Sequence, residues 1–223
     1  QVSLLYPEQT TMRSNALQTI EKWYQAQQVM QQDSPDYAHT GFDFNTMQPY
    51  DNGRWKEPDS AAGIGMLMYY GYQLTGDEKY LDALKDTMLY LDDYFSSPMY
   101  EVLLNYAPFL SSYLNAEHDM DLDVKSRVEE IFSGESIPRG GWGQTIGPWG
   151  DYPVDGLIGS INDRGGYAFA MNTFAAAYTI PSFLQYEPQY ASSIGQWLLN
   201  LSSNARYFFP DQSEADHQSC EAG

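Results

Sequence analysis

The segment GYQLTGDEKYLDAL, residues 71–84, most constrains how this chain can fold. An apolar run reaches Gly76, which can end a helix because it enters left-handed backbone without a Cβ clash. Asp77 then stands as a helix N-cap, and Tyr80, Leu81, Leu84, Met88, Leu91 and Tyr94 recur at helical spacing behind it. Two helices this close in sequence fold back on each other, so the segment specifies an antiparallel helical hairpin. The shape returns in FLQYEPQYASSIGQWLL (183–199), with Tyr190 in the place of Tyr80. It returns in looser form in YLNAEHDMDLDVKSRVEEI (113–131), which turns near Asp121. Helical hairpins recurring at roughly 50 residues point to stacked pairs, either an open solenoid or a closed ring.

The rest of the pattern agrees. Met12, Ala16, Leu17, Ile20, Trp23, Tyr24 and Met30 mark a first helix over 12–32. Pro35, Gly41, Pro49, Gly53 and Pro58 break any periodicity over 33–58. Asp59 is placed to cap SAAGIGMLMYYGYQL (60–74), which is apolar on most faces and therefore reads as buried. Further helices are expected at 100–117, 122–133, 167–178 and 189–207, with Pro181 ending or kinking the sixth. Trp23 and Trp197 fall on helical stripes and read as core, and Glu101 as a first-turn acid. No stretch sustains alternation with period two, so the class is all-α, a single domain over 1–223.

Between these helices lies RGGWGQTIGPWGDYPVDGLIGSINDRGGY, residues 139–167. It holds nine glycines, two tryptophans, two tyrosines and three aspartates, and reads as one long connection without regular structure. Such connections usually carry function. Flat rings at Trp142, Trp149 and Tyr152 can stack on sugar rings. Carboxylates at Asp151, Asp155 and Asp163 can grip hydroxyls or move protons.

The hairpin GYQLTGDEKYLDALKDTMLYLDDYF resembles the turn of the six-hairpin, (α/α)6-toroid glycosidases and polysaccharide lyases. RWKEPDSAAGIGMLMYYGYQ is similar to the inner-helix entry of such toroids, and GGYAFAMNTFAAAY to a tightly packed inner helix. The resemblance covers about 17–207. It implies antiparallel helical hairpins in an (α/α) toroid. The seven expected helices, against twelve in a complete ring, make this a partial toroid or a piece of a larger one. It also implies a cleft at one end of the inner helices, where helix N-termini favour carboxylates.

On that basis the catalytic candidates are Glu57, Asp59, Asp151 and Asp155. Glycosidic cleavage needs a proton donor and a second carboxylate acting as base or nucleophile. Substrate contacts are expected from Arg54, Trp55, Trp142, Trp149, Tyr152, Asp163 and Tyr167, with Asp43 an outside candidate. Capping explains Asp59 equally well, and Asx-turns explain the loop aspartates. The expected activity is a glycoside hydrolase acting on a neutral poly- or oligosaccharide. The alternatives are a lyase of the same fold using Tyr or His as base, for which His39 could line the cleft, or a non-catalytic sugar-binding helical module.

A net charge of −19 disfavours nucleic acid, anionic membranes and polyanionic glycans. His39, His118 and His217 share no ligand spacing, so neither metal nor other cofactor is expected. Cys220 is the sole cysteine, which excludes an internal disulfide. The expected state is a monomer. The chain begins at Gln1 and contains no signal peptide, which fits an extracellular protein after processing or a piece of a longer chain.

Overall fold

The computed structural model describes residues 5–32, 34–132, 142–147, 153–160 and 167–209. These are mostly helical. Helix α1 spans Thr10–Gln31, α2 Ser60–Thr75, α3 Glu78–Asp92, α4 Ala107–His118 and α5 Val124–Phe132. Helices α6 (Ala170–Thr179) and α7 (Ala191–Asn204) follow. Short 3-10 turns at Leu103–Tyr106, Ile180–Gln185, Pro188–Tyr190 and Ala205–Phe208 extend several of their ends. No helix among the described residues is long and apolar enough to cross a membrane.

The hairpin of α2 and α3 forms as its sequence specifies. Gly76 adopts φ +70° and donates its N–H to the carbonyl of Tyr72, while the Asp77 side chain accepts from the N–H of Lys79. The helices meet along a glycine face. A Cβ on Gly65 would lie 2.8 Å from Thr87 Oγ1, and one on Gly71 would lie 2.8 Å from Tyr80 Cγ and 2.9 Å from Ile20 Cγ2. Backbones this close let α1, α2 and α3 share one core, with Ile20, Met68, Leu84, Met88 and Leu91 inside it. The turn between α4 and α5 is closed by Asn115, whose amide donates to the carbonyl of Leu122 and accepts its N–H. Trp197 is buried against Phe132, as its stripe implies.

Strands appear where the sequence reads as irregular. In 33–58, β1 (Gly41–Asp43) pairs antiparallel with β2 (Gln48–Tyr50). In 139–167, β3 (Trp142–Ile146), β4 (Leu157–Ser160) and β5 (Tyr167–Ala168) form a three-stranded antiparallel sheet. The expectation that 139–167 lacks regular structure is therefore corrected, and the class is all-α only in its helical majority. Glycines erase the period-two signal, because a residue without a side chain marks neither face. Two helix starts shift for related reasons. Tyr167 and Ala168 pair as β5, so α6 begins at Ala170, and α4 begins at Ala107 after a 3-10 turn rather than at 100.

Candidate functional site

A cavity of about 450 Å³ opens where α1, the β1–β2 hairpin, the first part of α2 and the 3-10 turn at Leu103–Tyr106 converge. That volume is within the ~300–1,000 Å³ of small-molecule sites. Aromatic rings from Trp23, Tyr37, Phe42, Tyr70 and Tyr106 line it, and Glu57, His39, Thr40 and Ser60 supply its polar groups.

Each wall has a local cause. The β1–β2 hairpin turns through Asp43, whose carboxylate accepts the Asn45 N–H at 2.8 Å and the Thr46 hydroxyl at 3.0 Å. These bonds hold the Asp43 carboxyl below its ordinary range and make it a turn residue. The hairpin then lies on α1 through Trp23 against Phe44, ring centres 5.1 Å apart. Tyr37 is fully buried, and its hydroxyl takes a 2.8 Å bond from Gln27 and donates to Gln31. Gly63 leaves room for Leu103, which would sit 3.1 Å from a Cβ there, so the 3-10 turn closes directly onto α2. Burial first, then the neighbouring Tyr178 and Tyr106, push the Tyr70 hydroxyl up to about 12. It therefore stays neutral and can donate a hydrogen bond throughout the physiological range.

Two charged features stand at the edges. His39 Nδ1 lies 3.2 Å from Asp51 Oδ1, and its Nε2 lies 3.7 Å from Asp36 Oδ2. Lys56 Nζ binds the other oxygen of Asp51 at 2.7 Å. Behind Glu57, Asp59 is 1% exposed. It occupies the N-cap position of α2 without capping it; its carboxylate turns instead to the backbone N–H of Glu101 at 3.1 Å. Burial pushes its carboxyl up to about 7, against the pull of that amide and with help from the charges of Glu57 and Glu101.

Of the residues singled out from sequence, Glu57 and His39 line the cavity. Asp59 lies behind it. Trp55 is half-buried with its ring 6.5 Å from that of Tyr100, and Arg54 is exposed; neither lines the cavity. Asp155 is exposed beyond β3, with its carbonyl held by Asn204 Nδ2 at 2.8 Å, and it too is off the cavity wall. Trp149, Asp151, Tyr152 and Asp163 lie outside the described residues, as do the side chains of Trp142 and Tyr167, whose backbones pair in β3 and β5. The sequence reading missed Trp23, Tyr37, Phe42, Tyr70 and Tyr106 as wall residues. Trp23 and Tyr70 fall in helical stripes indistinguishable from core, so only the alternation in G-F-D-F-N could have flagged the hairpin.

No protein-family model, no curated protein and no solved structure matches the chain.

Proposed function

We propose that the chain is a carbohydrate-active protein, a glycoside hydrolase of partial (α/α)-toroid architecture acting on a neutral poly- or oligosaccharide. The observation that carries this reading is Glu57 in the wall of an aromatic cavity at the start of α2. Tyrosine and tryptophan faces suit the apolar faces of sugar rings, and tyrosine and threonine hydroxyls suit their hydroxyl rims. The net charge of −19 favours neutral over acidic glycans. The α2–α3 hairpin and its looser copies support the toroid, with α2 as an inner helix.

In this reading Glu57 donates a proton to the glycosidic oxygen as the bond to the anomeric carbon breaks. The second carboxylate, which activates the water that adds to the anomeric carbon, is Asp151, because Asp59 is buried with its carboxyl turned to Glu101 and Asp155 stands off the cavity wall. Trp142, Trp149, Tyr152, Asp163 and Tyr167, with Arg54 and Trp55, extend the sugar-binding surface. The protein works as an extracellular monomer without a cofactor.

A lyase reading has one observation in its favour: His39 lines the same cavity and is oriented by Asp51. There, the imidazole would remove the proton beside a uronate carboxylate, the glycosidic C–O bond at the next ring carbon would break, and the departing oxygen would take up a proton, leaving an unsaturated sugar.

The test is reducing-sugar release from a panel of neutral glycans, with Glu57→Gln and Asp151→Asn alongside. Turnover lost by roughly 100-fold or more in Glu57→Gln supports the hydrolase. An ultraviolet-absorbing unsaturated product lost in His39→Ala selects the lyase. Binding without turnover means a sugar-binding module, and neither binding nor turnover rejects the carbohydrate reading.

A further inference from the structure

We infer that Asp59 is a positioning residue of this cavity: its buried carboxyl ties the backbone of Glu101, just ahead of the 3-10 turn, to the start of α2 and thereby sets Leu103 and Tyr106 in the wall they share with Glu57. The geometry is specific. The backbone carbonyl of Asp59 accepts the N–H of Ala62 at 3.0 Å inside the first turn of α2. Its carboxyl crosses 42 positions of sequence to accept the N–H of Glu101 at 3.1 Å. One residue thus joins the two elements whose contact closes the cavity.

Two costs indicate that this tie is the reason for the arrangement. An aspartate at an N-cap ordinarily accepts from the helix's own first turn, and Asp59 forgoes that bond. Its other oxygen, Oδ1, is buried without a hydrogen-bond partner, which is rare for a carboxyl group. Residues 100–102 have no helix or strand of their own, and the Glu101 amide is held by an acceptor from outside the segment. Gly63 completes the fit by admitting Leu103 against α2.

The tie is also exposed to titration. Glu57 faces Asp59 from its own approach segment and Glu101 from the segment packed on it, and both disfavour a third charge there. With burial, they lift the carboxyl from 3.8 to about 7. The folded state therefore holds a proton that the unfolded chain releases, and stability falls as pH rises between those values and levels off above the upper one.

The inference rests on the carbohydrate reading only for what the wall touches, so its decisive readout needs no sugar. Amide hydrogen exchange is compared in the full chain for wild type, Asp59→Asn and Asp59→Ala. Asparagine keeps an acceptor oxygen and cannot ionise; alanine removes the tie. The expected result is exchange at Glu101 faster by roughly tenfold or more in Asp59→Ala, near-native protection in Asp59→Asn, and no change in α3. The fall of the thermal midpoint between about pH 4 and about pH 8 should be shallower in Asp59→Asn than in wild type, the part due to Glu130 remaining. Unchanged protection in Asp59→Ala would overturn the inference, as would an asparagine variant as unprotected as the alanine one. Affinity of wild type for neutral oligosaccharides is measured separately: its absence counts against the carbohydrate reading alone, because the exchange result stands without it.

Discussion

His39 Nδ1 sits 3.2 Å from Asp51 Oδ1, joining the segment ahead of the β1–β2 hairpin to the segment behind it. The second oxygen of Asp51 is held by Lys56 at 2.7 Å. Lys56 and then His39 hold the Asp51 carboxyl below its ordinary range, with burial opposing them. A depressed carboxyl stabilises the fold above its unfolded value of 3.8 and loses that contribution as pH falls through its folded value. Asp51 is 37% exposed and Lys56 47%, so solvent screens the pair.

We expect Asp51→Asn to lower stability at pH 7 by about 0.5 kcal/mol, a difference that is smaller at pH 3. Thermal melts at the two pH values check this. Equal losses at both would mean that the charge is irrelevant and only the hydrogen bonds matter.

Arg127 and Glu130 differ in what their removal should do. The guanidinium of Arg127 is 6% exposed and donates to the carbonyl of Leu91 at 2.7 Å and to Glu130 at 3.1 Å. Burial nevertheless pushes the Glu130 carboxyl up to about 7, outweighing the pull of Arg127. Glu130 is thus held where its charge is disfavoured, and its contribution is lost as pH rises from 4.5 toward 7. Glu130→Gln should be neutral or stabilising by about 1 kcal/mol at pH 8, whereas Arg127→Ala should cost about 3 kcal/mol by leaving buried acceptors unpaired. Urea unfolding of both variants reads this; similar losses in each would show the ion pair to be net stabilising.

The glycine face of α2 makes a paired prediction. Gly71→Ala places a methyl 2.8 Å from the ring carbon of Tyr80 nearest the backbone, which cannot move aside without shifting α3. We expect a loss of roughly 1–3 kcal/mol, larger than the helix propensity alanine gains. Gly195 in α7 has nothing within 4 Å of its notional Cβ. Gly195→Ala should therefore stabilise by about 0.5–1 kcal/mol. If both substitutions stabilise in urea titrations, α2 and α3 are not packed this closely.

Legibility in the sequence followed range along the chain. Gly76 and Asp77 announced their turn because capping acts through backbone atoms a few residues away. Glu57 was legible for the same local reason, as an acid just ahead of a buried helix. The role of Asp59 was not: its partner amide belongs to Glu101, 42 residues on, and a capping aspartate has the same sequence signature. The strands β3 to β5 were hidden by their glycines, and the cavity by being assembled from four separate parts of the chain.

The sequence by itself determined a mostly helical chain and the hairpin that turns at Gly76 and Asp77, because helix periodicity, glycine stops and aspartate starts are local backbone physics. Only the tertiary structure decided that Trp23, Tyr70 and Tyr106 wall a cavity rather than fill a core, and that Asp59 faces the backbone of Glu101 instead of its own helix. Side-chain burial depends on which distant surface arrives. A stripe of aromatic residues carries no mark of whether the facing element packs flush against it or stands off far enough to leave a space.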